Sequence, residues 1–155
     1  LADDVLSVTL INTSRNPDPF PDRGEHVINI ALAIGEDDPK ALEDTAVCYN
    51  HPVYFLSANS HPGTLPTAGS MLGFEAASTV LSAIVPTEKK GEYHVRYYET
   101  CGKDDKLALT LNKAPSAVVS VDLNGKEIPS DVTVEGCIVS VSVKANTLGQ
   151  LKITF

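Results

Sequence analysis

The sequence predicts a mainly β protein, an antiparallel β-sandwich with one short helix and two long proline-rich loops. Three observations carry this. Apolar residues recur at every second position in segment after segment, the period of a strand with one buried face. Gly-bearing turns separate those segments. Apolar residues at helical three-to-four spacing are missing from those segments.

Taken in order, "VLSVTLI" (Val5–Ile11) and "VINIALAI" (Val27–Ile34) are expected as the first two strands. From Pro39, "PKALEDTAVCYN" has good helix formers, proline at a first helical position, and apolar residues at Leu42, Ala46 and Val47. Asp37 or Asp38 is placed to cap it. The stretch His51–Phe74 is interrupted by Pro52, Pro62, Pro66 and three glycines, so only "VYFLS" within it is expected to ladder. "VLSAIV" (Val80–Val85) is a further strand. "EYHVRYYE" sets Tyr93, Val95 and Tyr97 on one face and His94, Arg96 and Tyr98 on the other. The same alternation gives Leu107, Leu109 and Leu111, then Val119, Val121 and Leu123. It continues with Cys137, Val139, Val141 and Val143, and ends with Leu151, Ile153 and Phe155. Asn124-Gly125 is a hairpin signal, because both residues tolerate positive φ. "EKKGE", "CGKDD" and "EGC" are turns of the same kind.

The bulk properties narrow the function. At 155 residues the chain fits a single domain spanning 1–155, and 43% hydrophobic content suits a cored fold. A formal charge of −8, with Lys89-Lys90 the only adjacent basic pair, argues against a nucleic-acid partner, which needs a basic face. No apolar run approaches the ~20 residues of a membrane span, and the acidic start "LADDVLSVTL" is unlike a signal peptide. Cys48, Cys101 and Cys137 are odd in number and widely spaced, and are expected as reduced, half-buried thiols in a cytoplasmic protein; one disulfide with one free thiol is the alternative. Leu1 enters an apolar run without an initiator Met, which gives the expectation of a C-terminal piece of a longer multidomain enzyme.

Catalytic signals are weak. His26, His51, His61 and His94 form no helical pair and no HExxH, and a zinc site needs three or four converging ligands. His51 and His61 precede proline, which holds each in extended backbone and makes loop-shaping their ordinary role. There is no G-x-S-x-G elbow and no phosphate-cradling glycine loop. Asp18 and Asp22 flank Pro19-Phe20-Pro21 and invite a paired-carboxylate reading. Turn-building by Asx side chains beside proline and glycine is the commoner use of such residues.

Two loops carry a resemblance. Pro17-Asp18, Asp22-x-Gly24-x-His26, His61-Pro62-Gly63-x-Leu65-Pro66, Val80-Leu81-Ser82-Ala83 and Arg96-x-Tyr98-Glu99 occur in this order. The set resembles the C-terminal β domain of glycoside hydrolase family 38, the α-mannosidases, in its bacterial and cytosolic-vacuolar branch. The likeness spans roughly residues 5–155, the last strands matching mainly in pattern. The chain departs from the family at Ser14-Arg15-Asn16-Pro17, where an Arg-Ser-Pro run is common, and at Val85 or Pro86, where Lys is common.

The resemblance implies a retaining exo-α-mannosidase. Its aspartate nucleophile and divalent metal, usually zinc, belong to an N-terminal α/β barrel, so no catalytic or metal-binding residue and no cofactor is assigned to this chain. The partners so implied are that catalytic domain and, in the whole enzyme, an α-mannoside; homo-oligomerisation stays open. Asp22, Arg23, Gly24, Glu25 and His26, with His61, are expected in loops that dock against the barrel or rim its sugar pocket. Internal stapling of the loop is the competing reading. Two other classes stay open: a free-standing carbohydrate-binding sandwich, and a structural sandwich that binds no sugar.

Overall fold

The computed structural model describes residues 5–14, 16–35, 37–64 and 66–155. Leu1, Arg15 and Leu65, used in the sequence reading, lie outside the described residues. The chain divides into two compact units, Leu1–Ile34 and Gly35–Phe155.

In the second unit a helix, α1 (Pro39–Asn50), precedes eight strands. The Asp38 carboxylate accepts from the Ala41 N–H at 3.0 Å, and Pro39 sits where its missing N–H costs nothing. The strands are β1 (Leu72–Glu75), β2 (Thr79–Pro86), β3 (Glu92–Glu99), β4 (Asp105–Leu111), β5 (Ala117–Ser120), β6 (Thr133–Glu135), β7 (Ile138–Val143) and β8 (Leu148–Thr154). They form two four-stranded antiparallel sheets, ordered β1-β4-β7-β6 and β2-β3-β8-β5. The predicted sandwich is the observed architecture.

Its core draws on both sheets. Leu107 and Leu109 of β4 and Val139, Val141 and Val143 of β7 meet Val95 and Tyr97 of β3 and Leu151 and Ile153 of β8. Each fully buried Val, Leu or Ile contributes roughly 1.5–3 kcal/mol, so this cluster is what holds the sheets face to face. Gly149 is paired with Tyr97 in the β3–β8 ladder, and a Cβ at Gly149 would meet the Tyr97 ring at 2.5 Å. The ring occupies the space that only glycine leaves.

Two buried or half-buried carboxylates tie strand ends together. Asp105, at the start of β4, accepts from the N–H groups of Ser78 (2.8 Å) and Thr79 (2.9 Å) and from the Thr79 hydroxyl (2.8 Å), joining one sheet to the first residues of β2 in the other. Glu99, at the end of β3, accepts from the N–H groups of Cys101 (2.7 Å), Gly102 (2.9 Å) and Asn146 (2.9 Å), gathering two turns.

Several expectations need correction. Leu6–Ile11 and Val27–Ile34 alternate as strands do, yet carry no ladder, and their apolar side chains are exposed. A strand needs a paired neighbour, and alternation alone does not provide one. "VYFLS" is likewise unpaired, with Val53 to Leu56 at least 90% exposed. In β5 the residue against the core is Val118, not Val119. Val121 is buried as expected, but Leu123 is exposed, because the chain turns out of the sheet at Asp122–Lys126. Phe155 stays partly exposed at the chain end. Strands β1 and β6 were not expected: Leu72–Glu75 lies in and beyond the proline-rich stretch, and Thr133–Glu135 is three residues long. The three cysteines are free thiols; Cys101 and Cys137 are half-buried as expected, and Cys48 is exposed.

Candidate functional site

The loop Asn16–His26 is built by short-range polar bonds within the first unit. The Asp18 carboxylate accepts from the Phe20 N–H at 2.9 Å, an Asx turn. The Asp22 carboxylate accepts from the Thr13 hydroxyl at 2.5 Å. Asp22 itself sits at φ 51°, where Asp pays less than most residues. Gly24, at φ 142°, takes a backbone conformation that a side chain would strain. His26 reaches back to donate from Nε2 to the Asp22 carbonyl at 2.8 Å. The Arg23 guanidinium lies 4.0 Å from the Phe20 ring centroid, a cation–π contact. Thr13, Pro19, Phe20, Pro21 and Arg23 line an open hollow here of about 730 Å³.

So the structure brings Asp22, Arg23, Gly24, Glu25 and His26 together in one loop. Asp22 and His26 are bonded to each other through the Asp22 backbone; the Asp22 carboxylate is turned to Thr13. Glu25 makes no side-chain hydrogen bond among the described residues. His61 belongs to the second unit, where its Nδ1 donates to the Pro62 carbonyl at 3.1 Å.

A second polar constellation covers the outer face of the sheet β2-β3-β8-β5. Alternation along β3 points His94, Arg96 and Tyr98 away from the core. Arg96 donates from Nε (3.0 Å) and Nη2 (2.9 Å) to the Gln150 side-chain oxygen. Gln150, nearly inaccessible, donates in turn to the Asp122 carbonyl at 3.1 Å. Tyr98 donates its hydroxyl to the Glu43 carboxylate on α1. That bond, then partial burial, pushes the Tyr98 hydroxyl above its usual range. A β-bulge falls in β2: Leu81 pairs with Tyr97 and Ala83 with Arg96, leaving Ser82 as the extra residue. Between α1 and this bulge lies an open cleft of about 690 Å³.

The acids at the strand ends are perturbed for structural reasons. Burial pushes Asp105 up, but the N–H groups of Ser78, Lys106 and Ala77 and the Thr79 hydroxyl outweigh it, holding the carboxyl at about 2. Burial likewise raises Glu99, and hydrogen bonds led by the Asn146 N–H bring it down to about 2. Both carboxylates are fully engaged as acceptors, which suits a clamp more than a proton donor.

Among the described residues, no group of three or more His, Cys, Asp or Glu is placed to hold a metal ion. Nor is any helix of the described residues long and apolar enough to cross a membrane. Sequence reasoning missed Glu43 and Ser82. Glu43 carries no signal of its own within a predicted helix, and a bulge leaves no mark in a segment such as Val80–Val85. Comparison with protein-family models, with curated proteins and with solved structures finds no match.

Proposed function

We propose that this chain is the non-catalytic C-terminal β-sandwich region of a retaining exo-α-mannosidase resembling glycoside hydrolase family 38, acting on α-mannosides in the cytoplasm. Its role is to pack on and support the catalytic barrel of the same polypeptide. The observation that carries the reading is the ordered series of five motifs from Pro17-Asp18 to Arg96-x-Tyr98-Glu99.

The motif residues do specific work where they fall. Val80–Ala83 contains the bulge of β2. Arg96 is bound by Gln150, Tyr98 by Glu43, and Glu99 by the backbone of two turns. The loop of Asp22 and His26 is stapled from within, which presents Arg23 and Glu25 in a fixed shape at low entropic cost. The apolar side chains of Val5–Ile11 and Val27–Ile34, exposed in this chain, are surface of the kind proteins cover with another domain.

In this reading the nucleophilic aspartate and the divalent metal reside in the barrel, and this chain alone turns over no substrate. The test is hydrolysis of an aryl α-mannoside. The polypeptide that joins this chain to its barrel should be active and the chain alone silent; turnover by the chain alone, or none by the joined polypeptide, refutes the proposal.

A further inference from the structure

We propose that the cleft between α1 and the bulge of β2 is a binding site for a small neutral polyhydroxylated ring, a hexose unit. The cleft shares no lining residue with the Asp22–His26 loop, and the inference does not depend on mannoside turnover.

Three features of the cleft lead to this ligand class. Its lining is mixed: Glu43 and Asn50 on α1 and Ser82 and Tyr98 on the sheet supply polar groups beside the apolar side chains of Val47 and Ala83. A pyranose needs that combination, since it carries C–H faces as well as a girdle of hydroxyls. Secondly, the polar groups have bonding capacity left over. The one side-chain hydrogen bond to the Glu43 carboxylate among the described residues comes from Tyr98, and the Ser82 hydroxyl makes none. A carboxylate with free lone pairs, beside a hydroxyl that can donate or accept, suits the paired donor and acceptor character of sugar hydroxyls. Thirdly, the lining holds one carboxylate, the His51 imidazole and no Lys or Arg, in a chain of formal charge −8. Phosphates, sulfates and acidic sugars are therefore disfavoured.

The fold explains why these groups converge. A bulge adds a residue to one strand and re-aims the side chains around it. Here it presents Ser82 towards the same cleft as Tyr98, whose strand is the immediate neighbour. α1 buries no residue of its own, and its Tyr98–Glu43 bond spans the cleft edge. The helix is thus held over the sheet without filling the space beneath it.

The experiment is a titration of the full 155-residue chain, followed by amide chemical shifts, with methyl α-D-mannopyranoside, D-glucose, sodium phosphate and n-butylammonium chloride. The expected result is saturable shifts at Ser82, Tyr98 and the Glu43–Asn50 part of α1 with at least one of the two sugars, at a Kd of about 1–10 mM. Phosphate should leave them unmoved. Glu43→Gln should weaken sugar binding about tenfold, and Ser82→Trp, at an exposed position, should abolish it while the core amides keep their shifts. Absence of saturable sugar binding overturns the proposal. So does a response to butylammonium alone, or sugar binding that survives Ser82→Trp.

Discussion

Val27–Ile34 and Ile138–Val143 are two stretches of one chain with nearly the same alternating pattern and opposite fates. In the second, Val139, Val141 and Val143 are 0–3% exposed inside the sandwich. In the first, Val27, Ile28, Ile30, Leu32 and Ile34 are 46–100% exposed and no ladder forms. The pattern names the face that a strand would bury. Burial itself needs a paired strand and an opposing sheet, and in the second unit β4 and β6 flank β7 while β3 and β8 oppose it.

The sharpest way to break this comparison is to truncate one residue on each side of it. Leu151→Ala removes a fully buried side chain and should destabilise the sandwich by about 2–5 kcal/mol. Ile34→Ala should change it by less than about 0.5 kcal/mol. Urea unfolding of both variants checks the pair, and equal losses would show that Ile34 is buried after all.

Gly149→Ala is next. The added methyl collides with the Tyr97 ring, a rigid group inside the core, and should cost about 1–3 kcal/mol. The double variant Gly149→Ala with Tyr97→Leu should recover part of that loss.

A pH series tests the carboxylate clamps. Asp105 and Glu99 both have folded pKa values of about 2, below their ordinary values of 3.8 and 4.5. Depressed acids stabilise the fold fully above those ordinary values, and the contribution drains away as pH falls from about 4.5 towards 2. Asp105→Asn should lower the melting temperature at neutral pH and flatten the acid limb. With the half-exposed site screened by solvent, the loss should be about 1 kcal/mol.

The smallest effect belongs to the loop. Asp22→Ala and His26→Ala break bonds confined to the first unit, so unfolding of the sandwich should shift by less than about 0.5 kcal/mol. In the polypeptide carrying the barrel, lost kcat/KM at unchanged stability would assign the loop to the sugar pocket rim. Lowered stability at unchanged activity would assign it to stapling.

What was legible in the sequence follows the same division. Leu107, Leu109 and Leu111, and Val139 through Val143, announced their buried faces, because a half-buried strand writes its geometry at every second residue. Asp38 and Pro39 announced the helix start through local chemistry. Val118 in place of Val119 was not legible: "AVVSV" offers valine to both faces, and the opposing sheet chooses. Strand β1 was hidden by the Pro- and Gly-rich residues before it, since short edge strands borrow their order from a neighbour, here β4. The loop residues from Asp22 to His26 were legible as one rigid piece because Asp, Gly and His act within a few positions. The convergence of Glu43 with Ser82 and Tyr98 was not. It joins a helix, a bulge and a strand across nearly forty residues or more.

Amide hydrogen exchange is the measurement that bears most directly on the claim that this chain supports a catalytic body. In the chain alone, the amides of Leu6–Ile11 and Val27–Ile34 should exchange at unprotected rates while those of β3, β4, β7 and β8 are slow. In the polypeptide that includes the barrel, the same two segments should become protected by about a hundredfold or more. Protection already present in the chain alone, or none in the longer polypeptide, would contradict the account.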